Sequence, residues 1–418
     1  MKLRLLFLTL VTGVVINSCD NTDQPGGETV KVAVPVVKSL AEIRSSISVT
    51  AARQTHSDGK IYVAENYLFY IAQQEGIHIF DNSDPASPQN IAFINLEGVH
   101  DIAIKGEYLY ADNYVDLVVF NIAQVNNIHL AHTLSNALAF APQYPQDVDF
   151  YDYDVPWTEG DIITGFEIQT RIMDPSAVSL EDFMSSPVAN SIGGNPNAVG
   201  TGGSYARFQI KNNALYTLDS WQLNVFNITQ PQSAFFDKSV HMEQWFGGGE
   251  FETLFIQKDF LFVGATNGMF VVDASNEFNP VFISGFSHAT ACDPVVVHEN
   301  TAYITVRGGT TCGAIQDQVN VIDISDITQP TLVSTYFLDQ PFGLGYLDQQ
   351  LYVCCGNGGL KVFNAQNPAG LELVHSYNGN YRDVIALPSH LIAVGNNTIT
   401  QFAYGPNHTL SQIGIVEF

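Results

Sequence analysis

"VNVIDISDITQP", residues 319–330, alternates apolar with other positions up to Ile322 and then breaks into an Asp/Ser/Asp cluster closed by Pro330. A period of two reads as a strand. An Asp that can bond backbone amides ahead of a proline reads as the turn that ends it. Related runs return along the chain: "IHIFDNSDPASP" (77–88), "LVVFNIAQV" (117–125), "LNVFNITQP" (223–231), "MFVVDASNEFNP" (269–280), "LKVFNAQNP" (360–368) and a degenerate "ITQFAYGPN" at 399. With the turn position as marker (81, 121, 227, 273, 323, 364, 403), five of the six steps lie between 39 and 50 residues, and the sixth is 106.

Each marker has company. About fifteen residues upstream lies an aromatic and β-branched run such as "NYLFYIA", "NALYTL", "DFLFVG" or "QQLYVC". Before that comes a short apolar run such as "HDIAIKG" or "DVIALPS", and after the marker a last one such as "QNIAFINL" or "TLVSTYF". Four short strands per unit of about 40 residues, separated by Gly, Asn, Asp and Pro, predict β-propeller blades, which stack on neighbours because none can bury both faces alone. The expected fold is all-β: a single propeller of seven four-stranded blades with an inserted loop-rich flap. Asp323 and Asp326 are then architecture and not catalysts.

Composition limits the partners. The chain has 418 residues, 46% of them hydrophobic, with 16 Lys+Arg against 42 Asp+Glu. It can build a large core, and a surface this acidic repels phosphate backbones, so nucleic acid is excluded as a partner. "MKLRLLFLTLVTGVVINSC" carries Lys2 and Arg4 ahead of an apolar stretch, Leu5 to Ile16, too short to span a bilayer. It reads as a bacterial signal peptide over 1–18. Its end, Ile16-Asn17-Ser18-Cys19, resembles the lipobox of lipoproteins, with Asn17 a less usual residue there. That resemblance implies an acylated, palmitate-bearing Cys19; the alternative is ordinary secretion with an incidental cysteine. Residues 19–34 are assigned as lipidated cysteine and tether, and 35–418 as the propeller. "DNTDQPGGET" after Cys19 is polar and tether-like, and it resembles the surface-export signal of Bacteroidetes-type lipoproteins. The expected address is the outer membrane or cell surface, with the membrane reached through the lipid.

"GLKVFNAQNP", "VNVIDISDITQP" and "GIHIFDNSDPASP" resemble the LVIVD repeats of bacterial surface lipoproteins, and "CDPVVV", "RGGTTCG" and "PFGLG" resemble further stretches of that family. The likeness covers residues 58–135 and 204–418. It implies a propeller and an envelope address, and it carries no established reaction or functional residues.

Residues 136–203 do not repeat and read as an insertion between the second and third blades, lying over one face. They hold "DVDFYDYDVPWTEGD", then "SLEDFMSS", where Ser179 with Glu181 and Asp182 would cap a short helix, then the Gly/Asn-rich "SIGGNPNAVGTGGSY". Long insertions favour function. Asp147, Asp149, Asp152 and Asp154 lack the EF-hand spacing; calcium binding and a solvated acidic loop are the two readings.

In an oxidising envelope Cys292 and Cys312 would form a disulfide across a loop of about twenty residues, stabilising by about 3 kcal/mol. Cys354 and Cys355, adjacent on a strand, should face opposite ways, as separate thiols with one in an inter-blade core or as a strained vicinal pair. His288 reads as a loop histidine. Metalloprotease, nucleophile-elbow and nucleotide motifs are missing.

Counting about twenty residues back from the markers, and thirty where the cysteine loop lengthens the unit, reaches Asp101, Glu252, Asp293 and Asp383, with His100 and Arg382 beside two of them. Four acids at one mouth of a central channel predict a cation or amine site, Ca2+ included. The alternative is that each accepts local backbone N–H groups. Two functions follow. One is a non-enzymatic, envelope-anchored module of unknown specificity, binding a protein, glycan or cation. The other is a carboxylate-based enzyme of lyase or glycoside hydrolase type, since paired carboxyls can do acid/base work. Catalytic residues are assigned to neither.

Overall fold

The computed structural model describes residues 28–54, 59–173, 201–242, 250–287, 294–308, 316–395 and 397–418. The signal peptide, Cys19, the 179–186 stretch, His288, Cys292, Asp293 and Cys312 lie outside them. The described residues are overwhelmingly β, and no helix among them is long and apolar enough to cross a membrane.

The repeats become sheets. Six four-stranded antiparallel sheets run over residues 102–134, 208–241, 251–287, 295–337, 344–377 and 381–417, here called sheets 2 to 7. Sheet 1 takes its four central strands from 59–95 and gains Thr201–Gly202 at one edge and Ser48–Thr50 at the other. In each sheet the strands lie side by side in chain order. The second strands are largely buried, as in Gln350–Cys354 and Leu391–Gly395, whereas fourth strands such as Thr331–Phe337 are largely solvated. That gradient is why the second runs are aromatic and β-branched throughout.

The markers end the third strands, as their chemistry requires. Asp81, Asn121, Asn227, Asp273, Asp323 and Asn364 each accept, on Oδ1, the backbone N–H two residues on, at 2.7–3.0 Å. These turns hold the carboxyls of Asp81, Asp273 and Asp323 below the usual carboxylate range.

Apolar clusters fill the gaps between successive sheets. A further cluster joins Ile61, Leu68 and Tyr70 of sheet 1 to Ile385, Ile392 and Val394 of sheet 7. Beside it the buried amides of Asn82 and Gln401 bond each other reciprocally, Nδ2 to Oε1 at 3.1 Å and Nε2 to Oδ1 at 2.5 Å. Cys354 packs in the cluster between sheets 6 and 7 and Cys355 in that between sheets 5 and 6. Both are free and buried. Successive residues point to opposite faces of a strand, so both thiols reach a core, where one had been expected. Burial pushes the Cys355 thiol up to about 12 and that of Cys354 well above its ordinary value.

Ser48–Thr50 pairs with Gln89–Asn95 of sheet 1, and sheet 7 draws all four strands from 381–417. Two sequence expectations are corrected. Residues 28–34, expected to be tether, are not: Glu28–Ser39, rich in β-branched valines, is a strand. The insertion is not mere loop. Asp161–Met173 is a strand of thirteen residues, and with Glu28–Ser39 and Phe150–Tyr151 it makes a three-stranded sheet.

That sheet belongs to a second, smaller unit whose described parts are 28–37, 143–157 and 165–173. Tyr144, Tyr151, Tyr153 and Phe166 pack edge and face within it. Its acids have structural employment: Asp149 accepts the Lys31 N–H at 2.7 Å and Asp152 pairs with Arg171 at 2.5 Å.

Candidate binding site at the starts of the first strands

One short segment organises the site. Residues 201–207, the end of the Gly-rich stretch, bond to the first strands of five different sheets or the residues leading into them. Thr201 and Gly202 pair with Val63 and Tyr62, and the Gly203 N–H reaches the Ile61 carbonyl at 3.3 Å. Ser204 donates from N and Oγ to Asp383 Oδ1 at 3.1 and 2.8 Å, and its Oγ accepts the Leu344 N–H at 3.0 Å. The Ala206 carbonyl accepts the Leu254 N–H at 2.7 Å, and the Arg207 N–H goes to Asp101 Oδ2. Seven residues of chain span too little length to do this unless sheets 1, 2, 4, 6 and 7 present their first strands to a common place.

Glycine is required at two points of this contact. A Cβ on Gly203 would sit 1.8 Å from Asp383 Oδ2, and one on Gly343 would sit 2.3 Å from Oδ1 of the same carboxylate.

The pairing register tells which residues share a place. Lys60, Asp101, Arg207, Thr253, Gly343 and Asp383 each precede the first deeply paired residue of their strand. Glu252 is not at the register position of Asp101 and Asp383. It is the extra residue of a β-bulge between Phe251 and Thr253, as Arg382 is between Tyr381 and Asp383. Counting twenty back from the marker Asp273 reaches Thr253, as it reaches Asp101 and Asp383 from their markers; Glu252 lies one residue further, in the bulge. Asp293 lies outside the described residues.

Around this place, therefore, cations accompany the acids. Lys60 Nζ lies 3.1 Å from Asp101 Oδ2, and Asp101 Oδ1 accepts the Ile102 N–H at 2.8 Å. His100 turns to Asp112, whose carboxylate accepts the N–H of both His100 and Asp101 and lies 3.1 Å from the His100 ring. Arg382 is exposed and engaged through contacts of its own. Among the described residues no three His, Cys, Asp or Glu side chains are grouped to hold a metal ion.

Asp383 is the most perturbed acid. Burial raises its carboxyl to about 6 against the bonds from Ser204 and Val384 and the charge of Lys60. A carboxyl held above its unfolded value gives full stability below that value and loses it as pH rises through the folded one. Stability from this group therefore falls between about pH 4 and pH 6, opposite in sign to the turn aspartates, which cost stability below pH 4. Asp383→Asn should flatten that loss, worth at most about 3 kcal/mol. Melting temperatures at pH 4.5 and 7.5 should differ less in the variant than in the wild type.

The count of twenty back from the markers holds for the missed cations too: it reaches Arg207 from Asn227 and, one residue further, Lys60 from Asp81. Ser204 and Tyr205 carried no such signal, because they lie in a glycine-rich run without period.

Residues 58–93, 248–287 and 290–337 match the LVIVD repeat, a β-propeller-type repeat. No curated protein matches the chain. Among solved structures, a protein from Lactobacillus plantarum aligns at TM-score 0.52 and 11% identity, over 94% of this chain and 100% of that one. A chain of the Mitotic Checkpoint Complex aligns at 0.51 and 10%, over 94% and 96%. A functionally unknown protein from Desulfotomaculum acetoxidans aligns at 0.50 and 9%, over 86% and 99%. At these identities the likeness concerns fold alone. The chain carries LVIVD repeats in an all-β, propeller-type architecture.

Proposed function

We propose that this protein is a lipid-anchored, envelope-facing, seven-bladed propeller that works by binding and not by catalysis. The observation that carries the reading is the 201–207 segment, which draws the starts of five first strands to one charged place. The packing of sheet 7 on sheet 1 supports a ring of seven. The signal peptide, Cys19 and the acidic composition support the outer membrane or cell surface, with a protein or glycan as partner. A Cys292–Cys312 disulfide, stapling the lengthened fifth unit, belongs to the same reading. The acid/base range of Asp383 favours the carboxylate-enzyme alternative, but Gly203 covers its second oxygen and Ser204 occupies the first, which argues against access to a substrate.

The anchor is tested by metabolic labelling with a fatty-acid analogue in the native host. Wild type should take label in the envelope fraction and Cys19→Ala should not. Equal labelling of both would remove the anchor from the reading.

A further inference from the structure

The site's donors outnumber its acceptors. Tyr205 stands in the middle of the bridging segment, its ring partly exposed but its hydroxyl buried and without a hydrogen-bond partner. Burial raises this hydroxyl far above its ordinary value, so it stays a donor; the charges of Arg307, Asp383, Cys354 and Glu252 bear on it. Arg307 lies with its guanidinium carbon 4.3 Å from the centroid of the Phe342 ring, and its Nε has no partner. Stacking holds the face of a guanidinium and leaves its edge N–H groups for an acceptor. Arg207, two residues after Tyr205, touches the Phe251 carbonyl through Nη2 at 3.4 Å, and its Nε is likewise buried and unpartnered.

Unpartnered buried donors are costly, and here three belong to one neighbourhood. The acids close by take up little of this surplus. Asp101 has Lys60 and two backbone N–H groups, and Asp383 has Ser204 and Val384 on Oδ1, while its Oδ2, crowded by Gly203, is buried without a partner. Glu252 has interactions of its own. Three unpartnered donors against the one unpartnered acceptor, Asp383 Oδ2, leave donors in excess, and the fork of an arginine edge beside a hydroxyl matches a carboxylate. In a chain with 16 Lys+Arg against 42 Asp+Glu, Lys60 and Arg207 at the starts of first strands and Arg307 just past the end of a second strand match the three acids nearby in number, a local balance in an acidic chain.

We propose that Arg307, Tyr205 and Arg207 form a binding site for the free carboxylate of a small organic acid. This rests on the reading of the first-strand starts as a binding face, and it reverses the cation expected from the sequence. The surrounding negative surface acts only within about 8–10 Å at physiological salt, so selection falls to the local fork.

Calorimetric titration of the purified full-length chain tests it, with D-glucuronate and N-acetylglycine as probes at constant ionic strength and sodium chloride as control. Saturable binding of either probe is expected, weakened at least tenfold by Tyr205→Phe and by Arg307→Gln. Tyr205→Phe should not lower the melting temperature without ligand, because it removes a hydroxyl that bonds nothing. Glucuronate alone would assign a sugar acid, N-acetylglycine alone a chain terminus, and both the carboxylate by itself; each outcome supports the site. Binding that chloride matches, binding indifferent to both substitutions, or no saturable heat with either probe would overturn it. None of these results touches the Cys19 labelling, which tests the envelope reading separately.

Discussion

Gln401→Leu is expected to lower folding stability by about 2–5 kcal/mol, and Asn82→Leu by a similar amount. Each substitution strands two buried polar atoms of the other residue, and an unsatisfied buried group costs about 1–3 kcal/mol. The pair joins residues 319 positions apart, and it lies beside the cluster between sheets 7 and 1. The double variant should regain much of the loss, since replacing both partners leaves neither amide stranded. Denaturant unfolding of the four proteins gives the coupling. Additive losses would mean that sheets 7 and 1 are not neighbours, and the propeller would then stand open.

Gly203→Ala is expected to cost about 3 kcal/mol, near the upper end for overpacking a built site. The new Cβ would fall 1.8 Å from Asp383 Oδ2 and 2.6 Å from Cγ. The carboxylate cannot retreat, because Ser204 and Val384 hold its other oxygen through three bonds. The penalty should shrink sharply in an Asp383→Ala background, where the obstructing atoms are gone. An unchanged penalty there would mean that the segment is held away from Asp383.

The period of the marker motif carried most of the fold. An Asp or Asn at the end of a buried strand must bond the amides that follow, and six of them do so in the same way. What escaped was local. "FEIQTRI", 166–172, alternates as plainly as any strand in the repeats, yet its place inside a non-repeating insertion hid it. Glu252 lies one residue beyond the count that reaches Asp101 and Asp383, and composition does not show that the equivalent position is Thr253 with a bulge before it. Asp101 and Asp383 are legible as acids at first-strand starts, and the cations at equivalent positions, Lys60 and Arg207, answer nearly the same count. Ser204 and Tyr205 were beyond reach. A Gly-rich run has no periodicity to announce that it will be threaded among five sheets, and its order comes entirely from partners distant in sequence.

Amide hydrogen exchange at residues 203–207 tests that threading most directly. The N–H groups of Gly203, Ser204, Ala206 and Arg207 are bonded to the Ile61 carbonyl, Asp383, the Gly203 carbonyl and Asp101. In a segment that ties five first strands together they should open only with the sheets themselves, so their protection should equal that of Ile61 or Leu254 amides. Exchange at the rate of a free glycine-rich loop would contradict the convergence of the first strands on this segment, and with it the site.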